Sequence, residues 1–310
     1  MLGPLLFILY LFGLGDILRG YDIDYHFYAD DNQLYLSFEP NQEGDLERAI
    51  STLQKCAADI RQWMTQQFLK LNEDKTEFVI FSSYRCHTTF EATTVTVGDD
   101  TVEASKCVRN LRAYFDNHLT MESHVNQIIK SANYHLRRIR YIRPYLTTSA
   151  TERVIHAFVT SKLDMNNGLL HGLPDYLIKA LQRVQNSAAR LVTPVQMRQH
   201  MKPVLKALHW LPVSARIEFK ICLLVYKCLH GLAPDYLADC LTNKTKTMGL
   251  RSSNQVIELF IPPTKLNKFG DRAFSVCGPR LWNALPQTTR SAPNVDIFKQ
   301  RLKTHLFNKN

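Results

Sequence analysis

The chain has 310 residues, of which 45% are hydrophobic and 21% charged: enough apolar content to bury a core, a soft prior of two domains, and a composition that argues against a disordered chain. Its 38 Lys and Arg against 28 Asp and Glu leave a net charge of +10, a surplus that favours a polyanionic partner. The surplus is unevenly placed: residues 1–120 carry 10 basic and 18 acidic side chains, a net of −8, and residues 121–310 carry 28 and 10, a net of +18.

The apolar run 2–15 has no basic residue ahead of it and no small-residue cleavage site. It is also shorter than the ~20 residues that span a bilayer, so it reads as a buried helix entered near Pro4 rather than a signal or an anchor. Residues 21–38 then alternate. Ile23, Tyr25 and Phe27 precede the turn Ala29-Asp30-Asp31-Asn32 and Leu34, Leu36 and Phe38 follow it, the pattern of a β-hairpin with two carboxylates at its tip. Leu46, Ile50, Leu53, Ala57, Ile60, Met64 and Phe68 recur at helical spacing, which predicts an amphipathic helix packed on a sheet. Residues 78–81, 93–97 and 108–115 read as further strands, with Gly98-Asp99-Asp100 as a turn before a short stretch at 101–102.

From Glu122 the pattern is helical, over about 122–143, 148–162, 174–193, 201–208 and 214–230, with another helix near 298–307. Two stretches echo each other, His171-Gly172-Leu173-Pro174-Asp175-Tyr176-Leu177 and His230-Gly231-Leu232-Ala233-Pro234-Asp235-Tyr236-Leu237. Each joins a Gly suited to a left-handed helix end with a Pro suited to the start of the next helix. Residues 242–254, rich in Thr, Ser, Lys and Asn, read as a mobile connection. Phe274, Trp282, Leu285 and Phe298 read as core. The fold class is α+β: a β-hairpin, an amphipathic helix and further strands over 1–120, a helical region over 121–241, and a C-terminal helical tail over 242–310.

Seven cysteines, odd in number, widely spaced and without a C-x-x-C pair, point to a reduced intracellular protein of nucleus or cytoplasm. Cys222, Cys228 and Cys240 with His209 and His230 match no zinc-binding spacing and read as small side chains of the interior.

Asp30 and Asp31 are the strongest chemical signal. Adjacent carboxylates on a tight turn suit hard divalent cations, and two-metal phosphoryl transfer needs such oxygen ligands; Asp and Asn are also ordinary turn formers. The hairpin is preceded by Leu2-Gly3-Pro4-Leu5-Leu6-Phe7 and followed by Leu71-Asn72-Glu73-Asp74-Lys75-Thr76-Glu77-Phe78. Downstream come Val108-Arg109-Asn110-Leu111, Phe115-Asp116-Asn117-His118-Leu119-Thr120, the run from Leu181 to Val192, His209-Trp210-Leu211-Pro212-Val213 and Pro279-Arg280-Leu281-Trp282-Asn283-Ala284-Leu285-Pro286. In this order and over nearly its whole length the chain resembles the reverse transcriptases of non-LTR retrotransposons, of the jockey and chicken-repeat type.

The resemblance implies that residues 1–120 are part of a polymerase palm and that 121–241 contain a helical, thumb-like region. It implies an RNA-directed DNA polymerase in which Asp30 binds catalytic Mg²⁺ or Mn²⁺, Asp31 supports the metals, Tyr28 approaches the primer end and Lys75 lies near the leaving pyrophosphate. The implied partners are an RNA template and a DNA primer, with no membrane and no small-molecule cofactor. The family's upstream metal-binding Asp and its fingers are not among these 310 residues, so the polypeptide alone is expected to be inactive. Departures from the family pattern include Arg112 where Gly is usual, Leu163-Asp164-Met165-Asn166-Asn167 for Leu-Asp-Tyr-Cys-Asn, and Leu11-Phe12-Gly13-Leu14 for Ile-Asn-Asp-Leu.

The second candidate is the basic segment with Lys130, Arg137, Arg138, Arg140 and Arg143, interleaved with Tyr134, Tyr141 and Tyr145. Cations suit phosphates and rings suit bases, but Leu136, Ile139 and Ile142 form an apolar stripe that also makes these residues the wet face of an ordinary helix. A truncated reverse transcriptase, a nucleic-acid-binding module and a non-functional retrotransposon remnant are the three readings the sequence leaves.

Overall fold

In the computed structural model, which describes residues 2–40, 42–83, 90, 93–98, 100–193, 199–244, 258–264 and 269–309, the apolar N-terminal run is two helices rather than one. Helix α1 (Gly3–Tyr10) carries Pro4 in its first turn, and α2 (Leu14–Gly20) follows after a turn. Leu14 and Leu18 of α2 are buried, whereas Leu5 and Leu9 of α1 are 61% and 69% exposed. The expected burial is therefore found in α2 and not in α1. Apolarity on every side of a helix signals that it needs a cover, but the signal contains no information about which neighbour supplies it.

Two compact units divide the chain, Met1–Leu119 and Thr120–Asn310, and they carry the −8 and +18 charges respectively. In the first, α3 (Asp45–Gln66) follows Gly44 in the left-handed conformation and places Asp45 and Glu47 at the positive end of its dipole. Its Cys56, Ile60 and Met64 form one core with Leu14, Leu18 and Ile23. Strands β1 (Asp24–Tyr28) and β2 (Asp31–Tyr35) pair antiparallel, Tyr25 with Leu34 and Tyr28 with Asp31. Tyr25, Phe27 and Leu34 pack on that core, and strand alternation turns Tyr28, Asp31 and Gln33 to the other face. A lone hairpin is marginal in water, and the apolar face laid on the core shared by α2 and α3 is what stabilises this one.

Strands β3 (Thr94–Val97) and β4 (Asp100–Glu103) form a second hairpin with Val95 and Val97 buried. The stretch read as one strand over 108–115 is a third hairpin, β5 (Cys107–Asn110) and β6 (Ala113–Asp116). Leu111 at φ 43° and Arg112 at φ 67° make its two-residue turn, both left-handed as in the primed turns that match strand twist. The strand expected at 78–81 is a single bridge between Phe78 and Ala104. Neither turn residue is one that adopts this conformation readily, so replacing Leu111→Asn together with Arg112→Gly is expected to stabilise the first unit by about 1–2 kcal/mol. A urea midpoint followed through Trp63 of α3 measures this; an unchanged midpoint would mean that the turn holds no strain.

The second unit is helical. It runs α4 (Glu122–Ile142), α5 (Thr148–Ile155), a π-helical turn (His156–Thr160), α6 (Ser161–Asp164), α7 (Asp175–Val192), α8 (Met201–Ala207) and α9 (Val213–Leu229). Then come α10 (Asp235–Ala238), α11 (Phe274–Asn283), α12 (Gln287–Arg290) and α13 (Val295–Lys309). Thr147 caps α5, its Oγ1 accepting the Ala150 N–H at 3.1 Å. The core joins Tyr226 of α9, Trp282 of α11 and Phe298, Leu302 and Leu306 of α13, with Leu285 beside them and Phe274 packed against the cluster. The Tyr226 and Phe298 rings stack with centroids 4.3 Å apart, and Tyr226 Oη donates to the Ala292 carbonyl at 3.0 Å.

Both echoing stretches take one shape. Gly172 and Gly231 have φ 70° and 65°, and Pro174 and Pro234 directly precede α7 and α10. Asn166 holds φ 54°, a conformation Asn tolerates better than the Cys usual in the resembled pattern. Cys86, Asp99 of the expected turn and residues 245–254 of the expected connection lie outside the described residues. Among the described residues no helix is long and apolar enough to cross a membrane.

Candidate functional site

The turn joining β1 to β2 is tighter than the four residues expected from sequence: Ala29 and Asp30 alone make it, and Asp31 already opens β2 opposite Tyr28. Ala29 has φ 55°, a left-handed value that costs a residue with a Cβ about 1–2 kcal/mol. Tyr28, Asp30 and Asp31 are all exposed. Among the described residues no side-chain hydrogen bond or ion pair engages either carboxylate, so both are open to solvent and to a ligand.

One polar tie to the hairpin was not legible in sequence. Gln33, on the same face as Asp31, donates from Nε2 to Asn110 Oδ1 at 3.0 Å, and the pair is partly buried. It links the carboxylate hairpin to β5 one residue before the left-handed Leu111-Arg112 turn. Lys75 ends a single 3₁₀ turn (Glu73–Lys75) with its ammonium exposed, and among the described residues no hydrogen bond or ion pair brings it to Asp30 or Asp31.

The basic segment is the outer face of α4. Val125, Ile128, Ala132, Leu136 and Ile139 are buried. Lys130, Tyr134, Arg137 and Tyr141 fall four, three and four residues apart, which sets them in one stripe about 16 Å long, with Arg138 beside it. Tyr134 is 50%, Tyr141 83% and Tyr145 86% exposed. Arg138 donates to Tyr134 Oη at 2.6 Å and lies over that ring at 5.0 Å, which holds the guanidinium out along the stripe. Arg137 and Arg140 are exposed. Arg143 differs: its Nε donates to the Leu191 carbonyl at 2.7 Å and its Nη1 to the Leu146 carbonyl at 2.8 Å. That guanidinium ties the end of α4 to the end of α7, a structural job that sequence spacing could not separate from phosphate binding.

No protein-family model, curated protein or solved structure matches the chain. Two-metal catalysis needs oxygen ligands that clamp both attacking and leaving groups, with a carboxylate bridging the metals from a second element. Among the described residues no group of three or more His, Cys, Asp or Glu is gathered to hold a metal. Two exposed, adjacent carboxylates do not fit a productive Mg²⁺ or Mn²⁺ pair, and no catalytic step follows from them alone.

Cys222, Cys228 and Cys277 of the second unit are buried thiols, whereas Cys240, expected in the interior, is exposed just after α10. Burial, with Glu218 adding to it, pushes Cys222 up to about 12, and burial pushes Cys277 up to about 11. Thiols held protonated in this way are poor nucleophiles and poor metal ligands.

Proposed function

We propose that the chain is the palm-and-thumb part of a non-LTR-type reverse transcriptase, an RNA-directed DNA polymerase that acts on an RNA template and DNA primer. The observation that carries the reading is the Tyr28-Ala29-Asp30-Asp31 tip of a two-residue hairpin, its apolar face packed on the core shared by α2 and α3 and both carboxylates free in solvent. Arg112 adds support, because it holds φ 67° at the position where the resembled pattern has Gly, the residue that accepts such a φ without cost.

These 310 residues are proposed to be inactive alone, since the hairpin offers two carboxylates where the two-metal geometry asks for a third from another strand. Primer extension on an RNA template with Mg²⁺ or Mn²⁺ tests this. The expected result is no template-dependent product; synthesis that disappears in Asp30→Ala would overturn the proposed inactivity and strengthen the family reading.

A second reading, a nucleic-acid-binding module without chemistry, is favoured by a separate observation: exposed rings and guanidinium groups alternate along α4. It is compatible with the first reading and is tested by binding alone.

A further inference from the structure

A cleft of about 460 Å³ opens in the second unit between α7 and α8, within the size range of ligand sites. Its floor is apolar: Ile178, Met201, Leu205, Trp210 and Phe307. Its rim carries Lys179, Lys202 and Lys206, and among the described residues no carboxylate lines it.

The shape follows from how α8 ends. Trp210 N–H bonds back to the Leu205 carbonyl at 2.8 Å and His209 N–H to the Lys206 carbonyl at 3.0 Å. This is the paired closure in which a left-handed residue, here His209 at φ 55°, turns the chain and folds the next side chain onto the helix. Trp210 is fixed in the floor by this turn and by its Nε1, which donates to Glu152 Oε1 at 3.2 Å.

The charges are not balanced locally. Lys202 and Lys206 stand one helical turn apart, a repulsive spacing, and among the described residues neither pairs with a carboxylate. Lys179 meets only exposed Asp175, at 3.9 Å.

We propose that this cleft binds an acidic amphipathic peptide segment of a protein partner, its aliphatic side chains seated on the floor and its carboxylates meeting Lys179, Lys202 and Lys206. Nucleic acid is a poorer occupant. Gln182 is already engaged at both ends, Nε2 with Gln185 Oε1 at 2.9 Å and Asn186 Oδ1 at 2.8 Å, and Oε1 with the Val213 N–H at 2.9 Å. Phosphate backbone would leave the apolar floor uncovered, whereas an amphipathic peptide covers floor and rim together.

The test uses the full chain and a fluorescein-labelled ten-residue peptide of alternating Leu-Leu and Glu-Glu pairs, read by anisotropy. Saturable binding is expected, weakened about tenfold or more in Lys202→Glu combined with Lys206→Glu. Both side chains are exposed, and a circular-dichroism melt verifies that the variant folds. Arg137→Glu with Arg138→Glu on α4 should leave peptide affinity unchanged, which separates the cleft from general basicity. No peptide binding, equal loss in both variants, equal binding of a peptide with Lys in place of Glu, or displacement by an oligonucleotide lost only in the cleft variant would each overturn the proposal.

Discussion

Replacing Lys130, Arg137, Arg138 and Arg140 together with Ala is expected to reduce the salt dependence of binding to an RNA–DNA duplex. Each phosphate that is no longer neutralised should flatten the plot of log K against log salt by roughly 0.7–0.9. A fluorescence titration at several salt concentrations measures the slope, and an unchanged slope, or binding that never depended on salt, would remove α4 from the interface. Arg143→Ala supplies the contrast. Its guanidinium is engaged with the Leu191 and Leu146 carbonyls, so it should leave the slope alone and cost about 1.5–3 kcal/mol of stability, the range for hydrogen bonds from a charged donor. Tyr141→Ala separates stacking from charge: its ring is 83% exposed, and its removal should weaken binding by about 1–3 kcal/mol with no change of slope if it stacks on a base.

Phe298→Ala should destabilise the second unit by about 3–5 kcal/mol, through forfeited transfer energy and the cavity left behind. Phe298 is fully buried between the Tyr226 ring at 4.3 Å and the Trp282 ring at 5.9 Å, so neighbouring rings cannot close the gap without leaving their own partners. Against a typical domain stability of about 5–15 kcal/mol this is a large fraction. The tryptophans allow a readout by unit: Trp63 belongs to the first and Trp210 and Trp282 to the second. Denaturation of single-Trp variants should show an early transition at Trp282 and none displaced at Trp63. A loss below about 1 kcal/mol would mean that the aromatic cluster packs loosely.

Helices were the most legible part of the fold, because their period is local. Leu177, Leu181, Val184, Ala188 and Val192 lie at helical spacing in sequence and are the buried face of α7 in space. Strands depend on partners that sequence does not show, and 78–81 carries β-type residues yet makes one bridge. The β5–β6 hairpin was unreadable for a different reason. Its turn is Leu111-Arg112, and nothing in that pair announces a left-handed turn as Asn-Gly would.

At the candidate sites, sequence placed Tyr28, Asp30 and Asp31 at a hairpin tip but gave no hint of the Gln33–Asn110 tie, which joins residues 77 apart. It grouped Arg143 with the other arginines because spacing counts charges and does not see carbonyls. The lysine-rimmed cleft has no sequence signature, since Lys179, Lys202 and Lys206 come from two helices and look in sequence like unrelated surface charges.

The π-helical turn at His156–Thr160 bears on how the chain tolerates changes of length. Ser161 N–H reaches back five residues to the His156 carbonyl, so this stretch holds one residue more than a regular helix would need. Ile155 before it and Leu163 after it are both buried. Deleting one residue inside the turn would let the backbone relax to ordinary helix with both flanking faces still inward, whereas a deletion in mid α4 or α7 would swing half of each helix by about 100° and turn its apolar side to water. Within the continuous helical run from α5 to α6, this turn is a position where the length of the gene can change by one codon without a change of register.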